Sequence, residues 1–238
     1  MARGPDFLCI GAQKAGTTWL FRQLSRHPQI VFPAGKEVHF WDRRYAEGVQ
    51  WYVAQFAGHE DRITGDVTPA YAILPVERVQ QIHELNPELK VIYVLRNPIE
   101  RAWSAALMAL QRAEMTESEA SDQWFIDHFR SAGSLSRGDY ESCLRVWRSV
   151  FETGRILVLR YEMIQHAARE FLQRCCEHIG ASPEFFSSVS PERLSERVFS
   201  GPGITIRPSL LPILRELYEP RIRSLGAYLG EDLSAWLK

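Results

Sequence analysis

The apolar positions of the chain predict buried strands that alternate with helices. Apolar runs at 7–10 and 91–95, and a further strand at 156–160, are typical of strands buried on both faces of a parallel sheet. The remaining periodic segments predict helices over Pro75–Asn86, Pro98 to about Arg112, Gln123–Ala132, Asp139 to about Glu152, Gln165–Ile179 and Ser209–Leu229, the last with a break at Pro220. We therefore predict an α/β fold, a central parallel sheet flanked by helices, in a single domain over residues 1–238.

Local signals mark the ends of several elements. Asp139 has a side chain preferred at a helix N-cap, and Gly180 is the residue preferred just after a helix C-terminus. The acidic and polar residues 114–122 predict a mobile surface stretch. Residues 133–138 begin and end with glycine and predict a loop.

Residues Gly11 to Thr18 have the outline of a phosphate-binding loop between a strand and a helix. The free N–H groups at such a helix N-terminus form a ready anion site. In a nucleoside triphosphate site the lysine follows the second glycine and reaches the β- and γ-phosphates. Here Thr17 has that place, and Lys14 lies inside the loop. The pattern favours a nucleotide with a shorter anionic arm, and the alternative is a strand–helix turn without a ligand.

A second motif, from Arg96 to Ser104, follows the apolar run at 91–95. Pro98 suits the first turn of a helix. Arg96 stands at the carboxyl end of a strand, where open α/β sheets bind ligands. An arginine fork and a serine hydroxyl suit a second phosphate. The alternative is a surface arginine and a serine that faces its own helix.

These motifs resemble those of sulfotransferases that use 3′-phosphoadenosine 5′-phosphosulfate (PAPS). Residues 14–19 resemble the family's 5′-phosphosulfate loop, residues 96–104 its 3′-phosphate motif, and residues 157–162 the strand that ends in Tyr-Glu. The resemblance extends from about Phe7 to Trp236. It implies the P-loop NTPase-like sulfotransferase fold, PAPS as donor, and in-line transfer of a sulfuryl group to an acceptor hydroxyl.

The resemblance also implies individual roles. Lys14 is expected at the oxygen that bridges the 5′-phosphate and the sulfuryl group, and Arg96 and Ser104 at the 3′-phosphate. Trp19 and Tyr161 match aromatic residues near the adenine, with packing in the core as the alternative. The implied nucleotide-binding residues are Lys14, Ala15, Gly16, Thr17, Thr18, Trp19, Arg96, Ser104 and Tyr161. A late arginine-containing stretch, 195–207, fits the family's basic loop by position, so Arg197 or Arg207 is expected at the nucleotide unless this is a plain surface loop.

The segment from Gly35 to Asp42 is the candidate source of a general base. It resembles the Lys-Glu-x-His-Phe-Phe segment of heparan sulfate sulfotransferases, which implies that Glu37 takes the proton of the acceptor hydroxyl. We expect a raised pKa for Glu37, beside an anionic donor and away from water. A surface ion pair with Lys36 is the alternative, and His39 is the rival base.

One segment departs from the family pattern. Residues 65–71 resemble Glu-Lys-(Ser/Thr)-Pro-x-Tyr, but Val67 stands where the carbohydrate enzymes have a lysine. Arg43, Arg44 or Arg207 are candidate replacements for that cation. Asp66 has two open interpretations: contact with the acceptor, or capping of Thr68 and the turn that follows.

Composition narrows the class of protein. With a formal net charge of −1, the chain has no overall positive potential that would attract nucleic acid. Four cysteines without a metal-site or disulfide spacing suggest reduced thiols. The first strand follows within about six residues of Met1 and no apolar run is long enough for a bilayer, so we expect a cytoplasmic enzyme without a membrane anchor. No metal is expected, because lysine, arginine and backbone N–H groups supply the positive charge.

Two other functions remain open at this point. A P-loop kinase requires a lysine after Gly16 and an acidic residue for magnesium, and neither is evident. A non-catalytic module that binds adenosine 3′,5′-bisphosphate (PAP) requires Lys14, Arg96 and Ser104 but not Glu37. For an enzyme, the acceptor is expected to be a carbohydrate or a small natural product, with Trp41, Trp51, Tyr52 and Tyr71 either lining its cleft or packing in the core.

Overall fold

The structure, a computed structural model, describes residues 4–195 and 203–237. Strands and helices alternate along the chain. Their order is β1 (Phe7–Gly11), α1 (Thr17–Leu24), β2 (Ile30–Val31), α2 (Val49–Ala54), β3 (Ile63–Val67), α3 (Val76–Leu85), β4 (Lys90–Leu95), α4 (Pro98–Arg112), α5 (Asp122–Arg130), α6 (Ala132–Gly138), α7 (Tyr140–Arg148), β5 (Ile156–Arg160), α8 (Glu162–His166), α9 (Ala168–Ile179), α10 (Pro191–Ser195) and α11 (Leu211–Leu229).

The five strands form one parallel sheet in the order β2-β3-β1-β4-β5. β1 lies at the centre, between β3 and β4, and its apolar side chains are fully buried. Its pairing with β4 becomes irregular between Cys9 and Gly11, where the chain leaves the sheet for the phosphate-loop motif. The predicted strands correspond to β1, β4 and β5, whereas β2 and β3 were not predicted from the sequence. The predicted α/β fold with a central parallel sheet is confirmed.

The described chain forms two compact units. Unit 1 contains residues 4–95 and 145–195, and therefore the whole sheet. Within it, α9 packs against β4, β5 and α1. Unit 2 contains residues 96–144 and 203–237, and in it α4 packs against α5, α6 and α11. The single domain over 1–238 stays a prediction.

Helix ends follow the capping residues closely. The side chain of Asn97 accepts the amide of Ile99 at 3.0 Å with Pro98 at the first helical position, so α4 begins where the sequence predicts. The carboxylate of Asp139 accepts the amide of Ser142 at 3.2 Å and caps α7. Gly180, with φ 83°, ends α9.

Three local predictions were wrong. Residues 132–138 form α6 rather than a loop, because the Ser131 hydroxyl caps the helix by accepting the Ser134 amide. α11 continues through Pro220 without a break. Proline cannot donate a backbone hydrogen bond, and the packing of buried side chains on both sides of it, such as Tyr218 and Ile222, compensates for that loss. Residues 117–119 form a short 3₁₀ helix with a capping box between Thr116 and Glu119, so this part of the acidic stretch is ordered.

None of the described helices is both long and apolar enough to cross a membrane.

Candidate active site

Five of the sequence motifs lie at, or just after, the carboxyl end of a strand. The loop of residues 11–18 follows β1, and the segment 36–42 follows β2 after a short connection. Asp66 lies at the end of β3, Arg96 follows β4, and Tyr161 follows β5. Because all strands are parallel, these ends share one edge of the sheet, which is where ligands bind in open α/β folds.

The phosphate-loop motif carries two left-handed residues. Gly16 has φ 80° and occupies the N-cap position of α1, and Lys14 has φ 69°. A left-handed lysine is uncommon and marks a backbone held in shape by its surroundings. No side chain caps the first turn of α1, so the amide groups of that turn have no side-chain partner within the described chain. Amides without side-chain partners at a helix N-terminus suit a bound anion.

Tyr161 lies against this loop. A Cβ added to Gly16 would stand 2.7 Å from Cδ1 of Ile164 and 3.1 Å from Cε2 of Tyr161. Only glycine fits under these two side chains, and only glycine adopts φ 80° there without strain. The ring of Tyr161 therefore packs directly on the loop, and its role near the nucleotide stays a prediction.

Trp19 lies inside the core of unit 1. Its indole N–H donates to the carbonyl of Leu194 at 2.9 Å, and its ring meets Phe171 edge-on at 5.7 Å. Ala15 and Thr17 are also buried, whereas Thr18 is partly exposed. The expected role of Trp19 at the adenine stays a prediction, and the packing favours its alternative as a core residue.

The segment 36–42, which we call the base segment, brings three candidate groups together. Glu37 and His39 both have left-handed backbones, with φ 63° and 56°. Lys36 donates to the Glu37 carboxylate, and Nε2 of His39 lies 3.4 Å from Oε2 of the same carboxylate. Nδ1 of His39 lies 2.9 Å from Oδ2 of Asp42. The imidazole thus stands between two carboxylates.

The expectation of a raised pKa for Glu37 was wrong. Burial raises the pKa of Glu37, but the hydrogen bond and the positive charge of Lys36, with a smaller contribution from His39, outweigh it and lower the pKa. With 41% of its side chain exposed, Glu37 is only partly shielded from water. The carboxylate is therefore ionised at neutral pH, in the state that accepts a proton.

Sequence reasoning did not single out Asp42. Its carboxylate is the partner of His39 Nδ1, and it also lies 3.6 Å from Nε of Arg43. The signal was available in the spacing, since Asp42 follows His39 by three residues in a turn where Arg43 and Arg44 both donate their amides to the His39 carbonyl. A carboxylate on one ring nitrogen fixes the orientation of the imidazole and its tautomer.

Asp66 is buried in a cluster of hydroxyl groups. The hydroxyls of Tyr52 and Tyr71 donate to Oδ2 of Asp66 at 3.0 and 3.1 Å, and the hydroxyl of Thr68 donates to Oδ1 at 2.6 Å. Asp66 is fully inaccessible to solvent. Of its two interpretations, the structure therefore supports the contact with Thr68 and not the contact with an acceptor.

The pKa of Asp66 has a measurable consequence for stability. Burial raises this pKa from 3.8 to about 6, against the opposing hydrogen bonds of Thr68, Tyr52 and Tyr71. Between these values the folded state keeps a proton that the unfolded state releases, so stability falls as pH rises from about 4 to about 6. We expect a linked loss on the order of 1–3 kcal/mol.

Urea unfolding of the wild type and of Asp66→Asn at pH 4 to 7.5 measures this term. Other carboxylates contribute equally to both proteins, so the difference between the two curves isolates Asp66. A difference that does not change with pH would show that Asp66 ionises as it does in the unfolded chain.

Position 67, where the carbohydrate enzymes have a lysine, is buried in this chain. The side chain of Val67 is fully buried, and its carbonyl accepts the amide of Glu37 at 3.1 Å. Among the candidate replacements, Arg43 is exposed beside Asp42, and the guanidinium of Arg44 lies 4.3 Å from the centroid of the Trp51 ring. Trp41, Tyr52 and Tyr71 are core residues, and Trp51 alone of the four proposed aromatic residues is partly exposed.

In unit 2, Arg96 and Ser104 lie at the start of α4 and two turns into it. The guanidinium of Arg96 donates to Oε2 of Glu100 through Nε at 3.2 Å and Nη2 at 2.9 Å. Its carbonyl accepts the hydroxyl of Tyr140 at 2.8 Å, which fixes the turn before α4. Ser104 is partly exposed. The roles of both at a phosphate stay predictions.

Arg207 is held by acidic residues of unit 2. It pairs with Glu117 and with Asp122, and its guanidinium lies 4.8 Å from the centroid of the Phe125 ring. The hydrogen bond to Asp122 raises the pKa of Arg207 further, so the residue stays charged. Its nucleotide role stays a prediction, and Arg197 lies outside the described residues.

Within the described ranges, no group of three histidine, cysteine, aspartate or glutamate side chains is placed to hold a metal ion.

Comparison with known proteins shows the family of the chain. The Sulfotransferase domain family matches residues 4–198. Human heparan sulfate glucosamine 3-O-sulfotransferase 6 is 38% identical over 111 residues, which are 46% of this chain, and the match spans only 32% of that relative's length.

Two solved structures share the fold. A sulfotransferase from Alicyclobacillus acidocaldarius superposes with a TM-score of 0.76 at 23% identity, over 98% of this chain and 99% of its own. A mouse sulfotransferase complexed with PAP gives a TM-score of 0.59 at 17% identity, over 93% of this chain and 86% of its own. The family match covers most of the chain, and the protein belongs to the sulfotransferase domain family.

Proposed function

We propose that this protein transfers the sulfuryl group of PAPS to an acceptor hydroxyl, with Lys14 at the donor and Glu37 as general base. The observation that carries the proposal is the base segment. In a chain of the sulfotransferase family, it places an ionised carboxylate, an imidazole and an ammonium group together in unit 1, which also carries the phosphate-loop motif.

The residues of the loop fit the donor. Uncapped amides at the start of α1 and the hydroxyls of Thr17 and Thr18 suit a 5′-phosphate. Bound PAPS supplies an activated sulfuryl group and leaves as PAP. The ammonium of Lys14 balances the charge that grows on the 5′-phosphate as its bond to sulfur breaks. Arg96 and Ser104 bind the 3′-phosphate in this proposal, and Tyr161 packs at the adenine side of the loop.

On the acceptor side, the ionised Glu37 takes the proton of the acceptor hydroxyl while the oxygen of that hydroxyl forms its bond to sulfur. Lys36 holds the carboxylate in its charged form before the reaction. His39 is linked to the same carboxylate and is fixed by Asp42, so it orients Glu37 or shares its proton. The kinetics of the single variants Glu37→Gln and His39→Gln distinguish the base from its partner.

For the acceptor, we favour a carbohydrate over a small natural product. Support comes from the similarity to the heparan sulfate 3-O-sulfotransferase and from the partly exposed Trp51, since aromatic rings suit the faces of sugars. The buried Val67 indicates that an acceptor is not held by the family's lysine at that position. The cytoplasmic location stays an expectation.

Substitution of Arg96 tests directly whether the protein binds a nucleotide with a 3′-phosphate. We expect Arg96→Ala to weaken binding of PAP by roughly 10- to 100-fold, the effect of losing a charge-assisted hydrogen-bond pair, and to leave binding of AMP unchanged because AMP has no 3′-phosphate. Calorimetric titration with PAP, AMP and ATP without added metal, and with ATP in the presence of magnesium, measures these affinities.

Arg155→Ala is the matched control. Arg155 is also paired with a glutamate, Glu88, but it precedes β5 and so lies at the opposite edge of the sheet. Preference of the wild type for ATP with magnesium, or equal losses for PAP and AMP in Arg96→Ala, would count against the PAPS assignment.

A further inference from the structure

The backbone of the base segment is held in an unfavourable conformation. Glu37 and His39, the two candidate bases, are both left-handed although neither is glycine, and Val38 between them is buried. Non-glycine residues keep such a conformation only where their surroundings determine it. The contacts that determine it therefore also set where the carboxylate and the imidazole point.

Two amide groups anchor this segment to the chain that follows β3. The amide of Glu37 donates to the carbonyl of Val67 at 3.1 Å. The amide of Phe40 donates to the hydroxyl of Tyr71 at 2.9 Å in a buried setting. The anchors lie on either side of His39. The first is an ordinary backbone contact, but the second depends on a single side-chain hydroxyl.

Asp66 determines the direction of that second hydrogen bond. An ionised carboxylate only accepts hydrogen bonds, so the hydroxyl proton of Tyr71 is directed to Oδ2 of Asp66 at 3.1 Å. The hydroxyl oxygen is then left to accept the amide of Phe40. The carboxylate is itself fixed by Thr68 and Tyr52, so the chain Asp66–Tyr71–Phe40 has one consistent polarity.

We propose that Tyr71 and Asp66 are positioning residues of the active site: by holding the amide of Phe40, they fix the left-handed turn that aligns His39 with Glu37. This inference rests on the proposed function. It adds a role for a buried pair that touches neither donor nor acceptor and acts only through the base segment. The charged groups near His39 are Glu37, Asp42 and, more deeply buried, Asp66.

The chain offers a close control in Tyr52. Its hydroxyl donates to the same oxygen of Asp66 at 3.0 Å, and it is as buried as Tyr71. It differs in one respect, since the Phe40 amide is bonded to Tyr71. The ring of Tyr52 stacks on that of Phe40, 4.7 Å apart at 11°, and a phenylalanine at position 52 keeps this contact. Tyr52→Phe therefore removes one hydroxyl from Asp66 and leaves the Phe40 anchor in place.

The experiment compares Tyr71→Phe with Tyr52→Phe in the full chain. We expect both variants to lose stability in urea, and Tyr71→Phe to lose more, because it also leaves the buried amide of Phe40 without its hydroxyl partner. We expect Tyr71→Phe to lower kcat for the acceptor found in a screen by about tenfold or more, with KM and the affinity for PAP within about twofold of the wild type. Tyr52→Phe is expected to keep kcat within about threefold.

A second measurement does not depend on an acceptor. The ring-proton chemical shifts of His39, assigned by their loss in His39→Gln, report its environment in NMR spectra at one fixed pH. We expect Tyr71→Phe to change these chemical shifts, because the distances from His39 to Glu37 and Asp42 change, and Tyr52→Phe to leave them unchanged. Equal effects of both variants on kcat and on the chemical shifts, or no effect of either, would overturn the positioning role.

The two proposals fail in different ways. If the wild type neither binds PAP nor transfers a sulfuryl group, the proposed function fails, while the His39 chemical shifts still show whether Tyr71 sets the base segment. If the wild type is active and the two variants behave alike, the proposed function stands and the positioning role is wrong.

Discussion

Glu37→Gln lowers kcat by about 10²- to 10⁴-fold, the range of a lost general base, and leaves the affinity for PAP within about twofold. The amide has nearly the shape of the carboxylate but cannot take the proton of the acceptor hydroxyl. Because the base acts on the acceptor, its removal is expected to lower the rate of transfer without changing the binding of the nucleotide. The measurement is the steady-state rate of PAP formation from PAPS with the best acceptor of a screen, together with calorimetric titration of PAP.

Two further variants sharpen this test. Glu47→Gln changes an exposed glutamate ten residues further along the chain and is expected to keep full activity. His39→Gln tests the rival base. If His39→Gln abolishes transfer and Glu37→Gln retains it, the histidine is the base and Glu37 supports it. Normal transfer in both variants would mean that the base lies elsewhere, whereas PAP binding without transfer by the wild type would support a non-catalytic PAP-binding module.

The pH profile gives an independent check on Glu37. A base must be deprotonated, so activity is lost as pH falls through its pKa. Lys36 and His39 lower the pKa of Glu37, and the acidic limb of kcat/KM that belongs to Glu37 is therefore expected below pH 4.5, the ordinary value for a glutamic acid, and apart from any change near pH 6, where Asp66 titrates. Circular dichroism at each pH separates this limb from acid unfolding.

The sequence was most informative where one residue type has one physical meaning. Apolar runs without alternation identified β1 and β4 as buried strands, and the run at 156–160 identified β5, which lies at the edge of the sheet and is only partly buried. Gly16 marked a position where the backbone is left-handed and where a Cβ would collide with Ile164. Asn97 and Pro98 located the start of α4 to the residue. Each of these signals is local, and local chemistry decides them.

The remainder depended on contacts between distant residues. The direction of the Glu37 pKa follows from the placement of Lys36 and His39 around the carboxylate, which requires two left-handed residues that no propensity predicts. The sequence alone left Asp66 between contact with the acceptor and capping of Thr68, and the fold decides this by surrounding its carboxylate with hydroxyls that include those of positions 52 and 71. The continuation of α11 through Pro220 likewise depends on the packing of the neighbouring residues and not on the proline itself.

Lys14 is the second residue with a large expected effect. Lys14→Gln is expected to lower the rate of sulfuryl transfer by about 10²- to 10³-fold, comparable to the loss of one preorganised group that stabilises a developing charge. Glutamine keeps a long polar side chain and has the same difficulty as lysine with the left-handed backbone at φ 69°, so the loop geometry changes little. The charge is what is removed.

The diagnostic result is the division of this effect between kcat and KM. A charge that forms on the 5′-phosphate only as the bond to sulfur breaks makes the lysine more important in the transition state than in the bound donor, so kcat falls while the affinity for PAPS changes little. Lys90→Gln, at the opposite end of β4, is the matched control and should retain full activity. The slow transfer to water, followed as PAP released from PAPS, is expected to fall by the same factor, because the leaving phosphate is the same for every acceptor. A rise in KM with an unchanged kcat would instead make Lys14 a donor-binding residue, and the catalytic charge would then have to come from another cation at the same edge of the sheet.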